Sequence, residues 1–138
     1  MSASSLPSRL KPNAALSYPA RYCWSVKEFE RMGKIGLINP ELRLELIEGE
    51  LLEMAPIGYF HAGIIRILTE RLRLAVGNAA IVDSQNPIML DERSEPQPDL
   101  VLLRPRPDYY LSRHPRAEDV LLLIEVSDST VQFDRKTK

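Results

Sequence analysis

The sequence predicts an α/β domain of the α+β kind, with a mixed central sheet flanked by helices and a β-hairpin near its N-terminus. Three observations carry this. Leu42, Leu44 and Leu46 alternate with Arg43, Glu45 and Ile47, the period of a half-buried strand, and Glu48-Gly49 turns it back into Glu50 to Met54. Residues 59–76 place Ile64, Ile65, Leu68, Leu72 and Ala75 on one stripe of a helix. Two runs, Asp99 to Leu103 and Val120 to Val126, are apolar almost throughout, as strands buried on both faces are.

In chain order, residues 1 to about 22 read as a flexible arm, because Pro7, Pro12 and Pro19 oppose regular structure. Ser25 then caps a short helix. Glu28 stands three residues on, the capping-box spacing, and Gly33 and Gly36 end the helix. The hairpin follows, and Pro56-Ile57-Gly58 breaks the chain before the helix of Tyr59 to Val76, which stops at Gly77-Asn78. Ala80 to Val82 and Pro87 to Leu90 read as strands, and Glu92 to Pro98 as a polar, proline-containing loop. Arg104 to Pro115 connects the two apolar strands, and Ser127 to Thr130 offers caps for a last helix.

A chain of 138 residues, 44% apolar and 27% charged, suits one domain, here residues 23–138. That last helix has only about two turns before Lys138, so the domain is expected to continue or to be completed by a partner. The simplest expectation is a homo-oligomer, a two-fold dimer. A net charge of -1 argues against coating nucleic acid but leaves room for a local, transient contact. Cys23 is the single cysteine, which excludes an internal disulfide and a cysteine-rich zinc site. The longest wholly apolar stretch is five residues, so no membrane span is expected. The N-terminus has no signal-peptide core, and the reading is a cytoplasmic protein.

The chemistry starts from Glu125. It interrupts an apolar run, where an ionised carboxylate is costly unless it reaches water or meets a cation. Asp99 opens the other apolar run. If the two strands are antiparallel neighbours, the start of one lies beside the end of the other, and the two acids meet. Paired carboxylates can hold Mg²⁺ or Mn²⁺ for phosphodiester chemistry, with a downstream lysine to stabilise developing charge. Simpler roles exist for each: Asp99 as a turn residue after Pro98, and Glu125 as a strand-end acid paired with Arg104.

Pro98-Asp99, Ile124-Glu125-Val126 and Asp134-Arg135-x-x-Lys138 resemble the PD-(D/E)xK nucleases. The closest resemblance is to the bacterial Uma-type family of restriction endonuclease-like proteins, over roughly residues 22–138. Further matching stretches are Trp24 to Phe29, Glu45 to Glu50, His61-Ala62 and Gln85 to Ile88. The resemblance implies a restriction endonuclease-like core and a metal-dependent phosphodiesterase site. It implies Asp99 and Glu125 as metal ligands and Lys138 as the catalytic lysine, with Lys136 the second choice. It also draws Glu45 and His61 toward the site. Otherwise Glu45 would face solvent and His61 would be a satisfied core histidine. Gln85 is a candidate for orienting a phosphate or a metal-bound water. Tyr109 and Tyr110, beside Arg104 and Arg106, are candidates for nucleic-acid stacking or for a packed surface loop.

One departure stands out: Ser127 occupies the position two after Glu125, so the E-x-K triplet is absent. The reading is a Mg²⁺-dependent endonuclease hydrolysing DNA. The alternative is a nuclease-fold binding module without activity that dimerises.

Overall fold

The computed structural model describes residues 17–127. Their order is helix α1 (Val26–Lys34), strands β1 (Leu44–Ile47) and β2 (Glu50–Glu53), helix α2 (Tyr59–Val76), and strands β3 (Ile81–Asp83), β4 (Leu100–Leu103) and β5 (Val120–Ile124). This is the expected α+β architecture. The described strands form two small antiparallel sheets, β1-β2 and β3-β4-β5.

Ser25 caps α1 as expected. Its hydroxyl accepts from the Glu28 backbone N–H, and the Glu28 carboxylate accepts from the Ser25 N–H. Tyr22 Oη donates to Glu28 and Arg21 pairs with Glu50, so the end of the arm nearest α1 is engaged. Between β1 and β2, Glu48 and Gly49 have φ of 49° and 81°. Two central residues with positive φ make the hairpin turn whose twist matches its strands. Gly49 is needed twice over, since a Cβ there would lie 2.8 Å from Cys23 Sγ.

The α2 stripe lies as the periodicity predicts, with Ile65 buried and Ile64, Leu68 and Leu72 half-buried; Ala75, near its C-terminal end, is exposed. No helix among the described residues is long and apolar enough to cross a membrane.

The three-stranded sheet corrects two expectations. All four residues of β4 are buried, and Ile88, Val101 and Leu103 form a core against which Ile81, Tyr110 and Val120 pack. β5, expected to be buried on both faces, is instead an edge of the described sheet, with Leu121, Leu122 and Leu123 exposed by 46%, 47% and 42%. Glu125 lies just past its end and is exposed, so it reaches water. Pro87 to Leu90 forms no strand. Ile88, Met89 and Leu90 donate to Pro96, Pro115 and Ser94 respectively. Two of these acceptors are prolines, which return no N–H, so no ladder propagates.

Tyr110 packs in the connection ahead of β5, its hydroxyl donating to Arg104 O at 2.7 Å and its ring flanked by Arg106 and Arg113. Tyr109 is exposed.

Candidate functional site

The antiparallel pairing of β4 with β5 puts Leu100 opposite Ile124. One residue outward on each strand stand Asp99 and Glu125, close enough for each carboxyl to shift the other's titration in opposite directions. Glu125 is the one that holds its proton more tightly. Desolvation in the cleft, then Asp99, and more weakly Glu45, push its carboxyl up to about 6.

Asp99 is 7% exposed and moves the other way. Burial alone would raise it, but its neighbours hold it below the usual carboxylate range. Val126 N–H donates to Oδ2 at 2.7 Å and His61 Nε2 lies 2.9 Å from Oδ1, with Glu125 acting in the same direction. His61 sits in the first turn of α2, so its place is set by the break at Pro56 to Gly58.

Glu45 is also 7% exposed. It lies in the middle of β1, with its carboxyl in the same cleft as the other three residues. Burial raises its carboxyl, and nearby Asp99 adds to this; the Gln97 backbone N–H and Arg43 act against it. The cleft measures about 560 Å³ and gathers Glu45, His61, Asp99 and Glu125, with Arg43 and Gln97 on its walls. The structure thus brings together Glu45, His61, Asp99 and Glu125 of the residues singled out from sequence. Lys138, like Lys136 and Asp134, lies outside the described residues.

Gln85 is not in this cleft. It lines a neighbouring depression with Arg66 and Arg73 of α2, while its backbone N–H donates to Pro98 O. Sequence reasoning missed three contributors. Arg43 was legible, since it shares a strand face with Glu45 two residues on. The backbone N–H groups of Gln97 and Val126 carry no side-chain signal.

Asp99, Glu125 and Glu45 line one cleft and offer only oxygen, the donor chemistry of a hard divalent cation. No curated protein matches the chain. A profile of the Uma2 family, described as "Putative restriction endonuclease", matches residues 26–138. That match spans α1 through both acid-bearing strands, and the chain belongs to the Uma2 family of restriction endonuclease-like proteins.

Proposed function

We propose that the chain is a Mg²⁺- or Mn²⁺-dependent endonuclease that hydrolyses DNA phosphodiester bonds. The observation that carries this reading is the meeting of Asp99 and Glu125 at the paired ends of β4 and β5, with Glu45 in the same cleft. Asp99 and Glu125 would hold the cation, with Glu45 as a further acid beside them. When bound, the cation supplies charge stabilisation at the phosphate and lowers the pKa of a coordinated water.

The protein's own groups do the rest. His61 and the Val126 N–H hold the Asp99 carboxylate in one orientation. Glu125, its carboxyl raised to about 6, would offer the cation an ionised oxygen at neutral pH. Lys138 would stabilise charge developing on the phosphate. Arg66 and Arg73, on the depression next to the cleft, are suited to contact a phosphate backbone.

A second reading, a nuclease-fold module without activity, is favoured by Ser127 at the E-x-K position. Plasmid nicking separates the two. With Mg²⁺ or Mn²⁺ the parent chain should convert supercoiled to open-circular DNA, and Asp99→Ala or Glu125→Ala should abolish this. Nicking that survives both substitutions would refute the site. Tight metal binding without nicking would select the second reading.

A further inference from the structure

We propose that Glu30, Glu95 and His114 form a second divalent-cation site, suited to Zn²⁺-class metals, which ties α1 to the connection ahead of β5. One ligand atom from each residue lies within 4.8 Å of the other two. The three come from separate parts of the chain. Glu30 is on α1, Glu95 is bridged to β1 through Leu46, and His114 precedes the 3-10 turn leading into β5.

The second observation is an orphaned oxygen. Glu95 is 4% exposed, and its Oε2 is buried with no hydrogen-bond partner. A buried carboxylate oxygen left unsatisfied bears the full desolvation penalty of that group. Glu30 faces it with another carboxylate, so a positive group suits the gap: a shared proton, a protonated His114 or a bound cation. With His114 the three residues make a complete set of metal donors drawn from three segments.

The donors also identify the class of metal. Two carboxylates with one imidazole suit Zn²⁺ and its neighbours, whereas Mg²⁺ and Ca²⁺ prefer oxygen alone. The all-carboxylate set of Asp99, Glu125 and Glu45 is the complement, so the two sites should differ in preference. The site would be structural. Its ligands clamp three segments, and Glu95 N–H already donates to the carbonyl of the fully buried Leu46 at 2.7 Å.

The test is calorimetric titration of Zn²⁺ into chelator-treated chain, paired with thermal melts. Because Asp99 and Glu125 can also take Zn²⁺, stoichiometry is the readout. The parent should bind one more Zn²⁺ than His114→Ala and than Glu95→Gln, and Asp99→Ala should keep this equivalent. The loss at this site should be at least the ~10–100-fold that removing a ligand's supporting partner costs. The Zn²⁺-dependent rise in melting temperature should shrink in the same two variants. His114 is exposed, so His114→Ala decides the matter alone if Glu95→Gln fails to fold. Equal Zn²⁺ stoichiometry in the parent and His114→Ala would overturn the proposal, as would a parent that binds no Zn²⁺ here because the pair shares a proton.

Discussion

Asp99 and Glu125 divide the work of one acidic pair by environment. Burial and then the neighbouring Asp99 raise Glu125 to about 6, while the Val126 N–H and His61 lower the titration of Asp99. The linkage signs are therefore opposite. Glu125, raised above its unfolded value of about 4.5, binds more protons folded than unfolded, so its contribution to stability falls as pH rises from about 4.5 through 6. Asp99, lowered, contributes stability above its unfolded value and loses it as pH falls through the folded one. In metal-free protein, carboxyl NMR should show Glu125 titrating near pH 6, and Asp99→Asn should bring it part of the way down, because burial remains. An ordinary midpoint for Glu125 in the parent would deny the coupling. His61 is a positioning residue, since it touches Asp99 and reaches the cation only through it. His61→Ala should weaken Mn²⁺ binding by ~10–100-fold without abolishing it, measured by titration. Unchanged affinity would remove His61 from the site.

Gly49 makes the strongest local demand among the elements. An L side chain at φ 81° costs about 1–2 kcal/mol, and the approach of Cys23 adds to that. Gly49→Ala should lower urea stability by roughly 2 kcal/mol, and a loss under about 0.5 kcal/mol would show that the turn rearranges. This hairpin, the Ser25 cap and the full extent of α2 were legible because each rests on local chemistry: a turn pair, a capping box, a helical stripe closed by Gly77. The meeting of Asp99 and Glu125 was legible too, from strand polarity alone. Which strand lies inside was not. Val120 to Ile124 is as apolar as Leu100 to Leu103, and composition does not state sheet order, so the central place of β4 came only with the pairing. Pro87 to Leu90 misled for a similar reason. Its residues suit a strand, but its partners' prolines do not.

At the scale of the molecule, among the described residues β5 leaves three consecutive leucines partly exposed along a sheet edge. Successive strand residues face opposite sides, so both faces of that edge are apolar. An open apolar edge invites pairing with a second copy. Light scattering at tens of micromolar should find a dimer, and Leu122→Lys should shift it to monomer; a monomeric parent would contradict this. The molecule's central feature, however, is the cleft shared by β1, α2 and the ends of β4 and β5. Anomalous scattering from crystals soaked in Mn²⁺ tests it most directly. The account predicts a peak within ~2.0–2.6 Å of carboxylate oxygens from both Asp99 and Glu125, the range of hard-cation bonds to oxygen. Saturating Mn²⁺ bound elsewhere, with both carboxylates uncoordinated, would contradict it.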